Sequence, residues 1–188
     1  MSVVLQKPVT LDEFLAWEER QELRFEFDGF APVAMTGGTF GHDQITFNLR
    51  KSLDARLAGK PCRPFGPNVK IVVDGRIRYP DAGVVCRPIA YDATVIEDPV
   101  IVFEVLSDGT SKTDLIDKNR EYRATPSIQR YVILQQTHVA AIVFVRRADG
   151  WLSEIVSGDE AVLDLPEIDI SVPLHEVYAN TGLLMATS

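Results

Sequence analysis

The fold is decided by residues 100–106, which read VIVFEVL. This nearly continuous run of β-branched and aromatic residues predicts a central β-strand that is covered on both faces. Glu104 lies inside the run. A carboxylate in a central strand must be paired, protonated or bound to a metal, because an unpaired buried charge is costly. A structural salt bridge to an arginine, or a strand-edge position facing water, would also satisfy Glu104, so the run by itself leaves these readings open.

Helical and strand patterns alternate on both sides of this run. The predicted elements, in chain order, are a capped helix over residues 11–19, a hairpin of strands 24–28 and 30–35, a helix over 41–57, strands 68–73 and 76–86, a helix over 113–124, strands 130–134 and 139–146, and a last helical turn over 174–178. This mixed order predicts an α/β (α+β) fold with a central mixed β-sheet flanked by helices. The length of 188 residues predicts a single domain over residues 1–188.

Composition and charge exclude several classes of protein. A hydrophobic fraction of 46% is typical of a globular chain and excludes disorder as the main state. The net charge of −8 excludes nucleic-acid binding through a polycationic tail, but not an enzyme that handles phosphates with a metal. Cys62 and Cys86 are too few for a disulfide framework or a cysteine-based zinc site. The start lacks the pattern of a secretory signal and no apolar run is long enough for a membrane span, which predicts a soluble cytoplasmic protein with no membrane partner.

Two further carboxylates stand at informative positions. Asp81 follows Pro80 at the head of the apolar segment 82–85, so it lies where a strand begins. Glu26 alternates with Phe25 and Phe27, and this pattern predicts a solvent-exposed side chain, since glutamate is rarely buried unless it is paired.

Two basic residues lie within predicted helices and could reach these carboxylates. Lys118 stands four residues after Asp114, which is the spacing of a surface ion pair. It could instead point toward Asp81 and Glu104 and supply positive charge there. His42 is in the first turn of the helix over 41–57, where histidine usually decorates the surface or caps a loop, although a catalytic role is also open.

Several motifs occur together in a fixed order along most of the chain. The order resembles the PD-(D/E)XK nuclease superfamily and, more closely, the Uma-two (Uma2) family of putative restriction endonucleases, long catalogued as a domain of unknown function. The motifs that carry the resemblance are the opening helix at 11–15, FEFDG at 25–29, Met35 with GHDQI at 41–45, YPD at 79–81, PVIVFEVLS at 99–107, and Asp114, Lys118 and Tyr122 in the next helix. Residues 125–132 depart from the family pattern.

The resemblance implies a set of site residues. Asp81 and Glu104 match the two acidic metal ligands, and Val105 matches the residue whose backbone carbonyl completes the oxygen shell. Glu26 matches an additional acidic residue that many members place beside the metal. His42 matches a recurrent helix histidine whose role does not follow from the sequence.

The lysine of the family pattern is displaced in this chain. The motif expects lysine two residues after Glu104, where this chain has Leu106. Lys118 on the next helix fits as a substitute, and Lys112 is a weaker candidate.

The resemblance also implies a cofactor and a substrate. Mg²⁺, with Mn²⁺ as a possible substitute, would take these oxygen ligands, polarise a phosphodiester and activate water, while a lysine ammonium stabilises developing charge. The expected function is a metal-dependent endonuclease acting on DNA, and a homodimer is expected by analogy with nucleases that cut both strands.

Two other functions remain to be weighed. A catalytically silent dimeric relative would keep the fold and bind a partner or nucleic acid without cleavage. A two-carboxylate glycoside hydrolase is disfavoured, because Trp17 and Trp151 are the only tryptophans available for a sugar cleft. A nicking assay on plasmid DNA separates the endonuclease from the silent relative.

Overall fold

A computed structural model describes residues 10–35, 37–106 and 112–184, with side chains from residue 115 onward in the last range. The helices are α1 (Leu11–Glu18), α2 (Phe40–Leu57), α3 (Lys112–Ala124) and α4 (Leu174–Val177), with a 3-10 turn at Pro166–Ile168. The strands are β1 (Phe25–Phe27), β2 (Pro32–Ala34), β3 (Arg63–Phe65), β4 (Lys70–Val73), β5 (Arg76–Arg78), β6 (Ala82–Val85), β7 (Val95–Ile96), β8 (Ile101–Leu106), β9 (Arg130–Gln135), β10 (Ala140–Arg147), β11 (Gly150–Ser157), β12 (Val162–Leu165) and β13 (Ile170–Pro173).

The main sheet has six strands in the order β11-β10-β9-β8-β6-β3. It is mixed, because β8 and β9 are parallel while the other pairs are antiparallel. The strand predicted to be central, β8, lies between β6 and β9 and has one apolar cluster on each face. The expected α/β fold with a mixed sheet flanked by helices is confirmed.

Helix α2 covers one face of this sheet. Its buried stripe repeats every fourth residue, as the sequence predicts, at Ile45, Leu49, Leu53 and Leu57. Thr39 caps the helix by accepting a hydrogen bond from the backbone N–H of His42 at 3.2 Å. The cap fixes the start of α2 and, with it, the position of His42.

A second sheet, in the order β2-β1-β5-β4-β7, packs on the other side of α3. Its outer face carries the apolar cluster of α1, which begins at the predicted capping box of Thr10 and Glu13. Its inner face carries Glu26 and Arg78, which contact Lys118 and Glu121 of α3. The second sheet is therefore covered on both faces.

The prediction of one strand over residues 76–86 is wrong. The structure has two strands, β5 and β6, which belong to different sheets. Tyr79, Pro80 and Asp81 form the passage between them, and proline suits such a break because it has no N–H for the ladder. Residues 66–69 make a second passage between the sheets, from β3 to β4. Short strands β3 and β7 were not predicted.

Cys62 and Cys86 are joined by a disulfide bond. The two residues flank β3 and β6, where Arg63 pairs with Val85, so strand pairing brings them together. Their separation of 24 residues does not predict this contact, which is why the sequence pointed only to the absence of a disulfide framework. Among the described residues, no helix has the length and apolar character needed to cross a membrane.

Candidate active site

Asp81 and Glu104 lie side by side on neighbouring strands. Ala82 pairs with Phe103 in the antiparallel ladder of β6 and β8, and extending that register by one residue brings Asp81 beside Glu104. Both side chains are largely enclosed, with 16% of Asp81 and 13% of Glu104 exposed. The passage between the two sheets thus places Asp81 immediately before β6, and the central strand β8 supplies Glu104.

Asp81 is held by a backbone amide and by His42. Its Oδ2 atom accepts a hydrogen bond from the Val105 N–H at 2.6 Å and lies 3.1 Å from Nε2 of His42. The hydrogen bond with Asp81 raises the pKa of His42 above its usual value, against the opposing effect of burial. His42 is therefore a partner of the carboxylate pair, and the catalytic role that the sequence left open stays a prediction.

Glu104 contacts two side chains of α3. Its Oε1 atom accepts a hydrogen bond from the Tyr122 hydroxyl at 2.6 Å and lies 3.5 Å from Nζ of Lys118. Burial raises the pKa of Glu104 to about 7, with a further contribution from the Asp81 charge, while Lys118 opposes the rise. The structure places Lys118 toward the carboxylates, so it is not confined to a surface pair with Asp114.

Glu26 is buried, and the prediction that it would be exposed is wrong. Its side chain is 11% exposed because α3 covers the inner face of the second sheet. Oε1 of Glu26 accepts the Tyr79 N–H at 3.1 Å and lies 3.6 Å from Nζ of Lys118, while Oε2 accepts a hydrogen bond from Arg78 at 3.2 Å. Lys118 therefore lies between Glu26 and Glu104, and the predicted role of Glu26 as a metal ligand stays untested.

Arg78 and Glu121 form a buried ion pair that the sequence analysis missed. The Arg78 guanidinium donates two hydrogen bonds to Glu121, at 2.7 and 2.8 Å. A signal was present, because residues 118, 121, 122 and 125 have the i, i+3, i+4, i+7 spacing of one helix face. Three polar residues on the face that also carries Tyr122 indicate a helix packed against a polar site.

A second buried network supports the passage at residues 79–81. The Tyr79 hydroxyl donates to Oε1 of Glu18 at 2.7 Å, and Lys70 forms an ion pair with the same carboxylate. This network ties α1, β4 and the passage together just before Asp81. The position of Asp81 thus depends on contacts from both sheets.

The donor set suits a hard cation with few protein ligands. Within the described residues, Oδ1 of Asp81 and Oε2 of Glu104 accept no hydrogen bond. No group of three or more His, Cys, Asp or Glu side chains among those residues is arranged to hold a metal ion. Two carboxylates with a backbone carbonyl, such as that of Val105, match the way Mg²⁺ is usually bound, with water and phosphate oxygens filling the other positions.

Some predicted features lie outside the described residues. Ser107, at the end of the family motif, is one of them, and so are the side chains of Lys112 and Asp114. The comparison of Lys112 with Lys118 therefore rests on the contacts of Lys118 alone.

Comparison with known proteins identifies a family and two relatives of similar sequence. The sequence model of the Uma2 family, described as "Putative restriction endonuclease", matches residues 11–174. An uncharacterized protein of Synechocystis sp., slr1290, is 31% identical over 171 residues, which cover 89% of this chain and 90% of that protein. A second Synechocystis protein described as uncharacterized, sll1609, is 24% identical over 170 residues, covering 87% of this chain and 96% of its own length.

A solved structure shares the fold. It is described as a putative nuclease belonging to DUF820 from Anabaena variabilis, and it superposes with a TM-score of 0.75 at 16% identity. The match covers 92% of this chain and 98% of the other.

Proposed function

Because the chain belongs to the Uma2 family of putative restriction endonucleases, we propose that it is a metal-dependent endonuclease that hydrolyses phosphodiester bonds of DNA. The observation that carries the proposal is the carboxylate pair of Asp81 and Glu104 with the Lys118 ammonium 3.5 Å from Glu104. Hydrolysis of a phosphodiester needs a cation to offset the charge of the phosphate and a donor for the charge that develops on its oxygens. The pair and the ammonium supply the groups for both tasks.

Asp81, Glu104 and the carbonyl of Val105 are the residues that would hold Mg²⁺, or Mn²⁺ in its place. The bound ion would supply Lewis acidity toward the phosphate and toward water. Burial of Glu104 beside Asp81 supports this assignment, since burial raises the pKa of Glu104 and a bound cation would stabilise its charged form. Glu26, the additional acidic residue of the resemblance, would hold the Lys118 ammonium beside the metal ligands. It could itself bind the metal only if that ammonium moved away.

The other side chains orient these groups. The Val105 N–H and His42 fix Oδ2 of Asp81, which leaves its second oxygen without a hydrogen bond within the described residues. Tyr122 fixes Oε1 of Glu104 in the same way. Lys118, held by Glu26 and Glu104, keeps a positive charge within reach of a phosphate bound at the pair. The hydrogen bond with Asp81 raises the pKa of His42, which favours the protonated imidazole beside that carboxylate.

A homodimer is part of the proposal. Cutting both strands of a duplex takes two such sites, and a two-fold symmetric pair of chains presents them to the antiparallel strands. Sedimentation of the purified protein with and without duplex DNA measures this state directly.

The test is a nicking assay on supercoiled plasmid with Mg²⁺, Mn²⁺ or EDTA. We expect nicked and linear products only with a metal, background activity for Asp81→Asn, and wild-type activity for Asp92→Asn, a matched change at an exposed residue. A folded wild-type protein that cuts with neither metal contradicts the endonuclease and favours the silent relative. Cleavage in EDTA at the rate seen with Mg²⁺ would contradict the dependence on a metal.

A further inference from the structure

We propose that the turn at residues 66–69, with Arg50 and Arg24, is a binding site for backbone phosphates of the DNA strand that enters the candidate active site. This inference rests on the proposed function and adds the protein surface that holds the substrate. It concerns two arginines that contact neither Asp81 nor Glu104.

The turn lies next to the carboxylate pair. Phe65, the residue before the turn, pairs with Gly83, two residues from Asp81. The turn closes with a hydrogen bond from the Val69 N–H to the Gly66 carbonyl at 3.2 Å. The passage at residues 79–81 and this turn are the neighbouring crossings between the two sheets, so a phosphate bound at Asp81 has the turn on one side and β8 on the other.

Arg50 of α2 lies against the turn at Gly66. A Cβ atom at Gly66 would come within 2.5 Å of Cζ and 2.6 Å of Nε of Arg50. With any other residue at position 66 the guanidinium would have to shift away from its present position against the backbone. The arginine is nevertheless exposed, and within the described residues it has no hydrogen bond and no ion pair. The positive charge of Arg50 therefore lies at the turn, and no carboxylate compensates it within the described residues.

Arg24 reaches the same turn from the second sheet. Its Nη1 atom donates to Oδ1 of Asn68 at 2.7 Å and lies 3.5 Å from the Pro67 carbonyl. Both partners are neutral, so the positive charge of Arg24 is not compensated by a carboxylate either. Arg56, Arg76 and Arg78 differ, because each is bonded to a carboxylate. Arg63, Arg146 and Arg147 also have no carboxylate partner within the described residues, but none of them is hydrogen-bonded to the turn at residues 66–69.

The charge of the whole chain makes these two arginines important. A protein with a net charge of −8 repels DNA at long range, so attraction must come from local, uncompensated cations. Arg50 is eight residues from His42 along α2, which is about 12 Å of helix. One strand of DNA advances about 3.4 Å per nucleotide, so a strand with one phosphate at Asp81 has another near Arg50 about three nucleotides away.

The experiment measures binding and cleavage separately. Binding of a fluorescently labelled 20-base-pair duplex is followed by anisotropy in Ca²⁺ over a salt series, for wild type, Arg24→Ala, Arg50→Ala and the double variant. We expect each single variant to weaken binding on the order of three- to tenfold and to reduce the slope of log K against log salt by about 1. Cleavage should show a raised KM and a nearly unchanged kcat.

Two further variants separate charge from folding. Arg50→Lys keeps the charge and should restore most of the binding, while Gly66→Ala shifts the Arg50 guanidinium without removing its charge and should weaken binding less than Arg50→Ala does. Lys51→Ala, a neighbouring exposed cation that points from another face of α2, should bind as wild type does, and melting temperatures report whether each variant is folded.

The outcomes distinguish this inference from the proposed function. If the wild type cuts DNA and both arginine variants bind with the wild-type affinity and salt slope, the phosphate site is wrong and the endonuclease stands. If the wild type neither binds nor cuts DNA, both are wrong. If Lys51→Ala weakens binding as much as Arg50→Ala, the binding is diffuse and the site is again wrong.

Discussion

Glu104 in the candidate site and Glu176 on the surface between α2 and α4 each contact a basic side chain, but their pKa values move in opposite directions. Both oxygens of Glu176 are bonded to Arg56, at 2.7 and 2.8 Å, and Ser52 adds a third hydrogen bond at 2.7 Å. The hydrogen bonds from Arg56 lower the pKa of Glu176. Glu104 is enclosed, has another carboxylate beside it, and its pKa is raised to about 7.

The opposite pKa shifts distinguish Glu176, a structural carboxylate, from Glu104, whose charge is not fully compensated. Glu176 is satisfied by a two-pronged arginine and gains nothing from a metal. Glu104 shares one ammonium with Glu26, so the positive charge around it falls short. The contrast can be tested by changing each glutamate to glutamine, which keeps its size and removes its charge.

The largest expected effect is on cleavage. Glu104→Gln removes one carboxylate of the pair, and we expect plasmid nicking with Mg²⁺ to fall by at least about 100-fold, since electrostatic groups at the reacting centre contribute on that order. Glu176→Gln is the matched control and should cut at the wild-type rate. Equal losses in the two variants would erase the distinction drawn between the two carboxylates.

The next effect is on stability and concerns Arg78. Arg78→Met leaves Glu26 and Glu121 buried without their main cation, and breaking such a pair costs about 3–5 kcal/mol of the free energy of unfolding. Urea denaturation at neutral pH measures this loss. Arg87→Met, which removes an exposed pair with Glu97 and Asp98, should cost under about 1 kcal/mol. A small effect for Arg78→Met would mean that Arg76 and Lys118 suffice to hold the two carboxylates.

A smaller effect appears in the pH dependence of the metal-free protein. The folded-state pKa of Glu104 is above its unfolded value, so protonated Glu104 favours folding at low pH, and this contribution is lost as pH rises toward about 7. The expected loss is about 2–3 kcal/mol. Glu104→Gln should therefore be as stable as wild type or more stable near pH 7 in EDTA. Urea titrations from pH 4 to 8 would refute this if the variant were strongly destabilised, which would identify Glu104 as the partner of a buried cation.

The smallest effect has the opposite sign with pH. The lowered pKa of Glu176 means that its contribution is present above the unfolded pKa and is lost as pH falls through the folded value. Because this carboxylate is 36% exposed, Glu176→Gln should change stability by less than about 1 kcal/mol at neutral pH. Thermal unfolding at pH 7 and pH 3 should show the difference between variant and wild type shrinking in acid.

The sequence predicted the main helices and the central strand because their patterns are long and regular. Ile45 to Leu57 repeats at helical spacing, and VIVFEVL is apolar on both faces. Strands β3 and β7 have three and two residues, which is too short for a pattern to form. The break at Pro80 could have been read from the missing N–H, and treating residues 76–86 as one strand ignored it.

The candidate site was predicted in part. Asp81, Glu104 and Lys118 lie together in the structure, as expected from the resemblance, and His42, whose role the resemblance left open, contacts Asp81. The alternation around Glu26 correctly gave the face on which it lies, but a pattern within one strand carries no information about what covers that face. Arg78 and Glu121 were missed for the same reason, since their contact joins β5 to α3 across 43 positions of sequence.

The bond between Cys62 and Cys86 makes residues 62–86 a closed covalent ring. The crossings at residues 66–69 and 79–81, and the strands β4 and β5, belong to that ring. Local opening of a native protein commonly begins at an exposed edge, and β3 is the edge of the six-stranded sheet. While the ring is closed, the Cys62 end of β3 stays joined to Cys86 at the end of β6, so β3 can separate from β6 only as far as this tether allows in partly opened molecules. A thiol reductant would free that edge and speed hydrogen exchange at residues 63–65. The redox state of the surroundings would therefore affect how often β3 separates from β6.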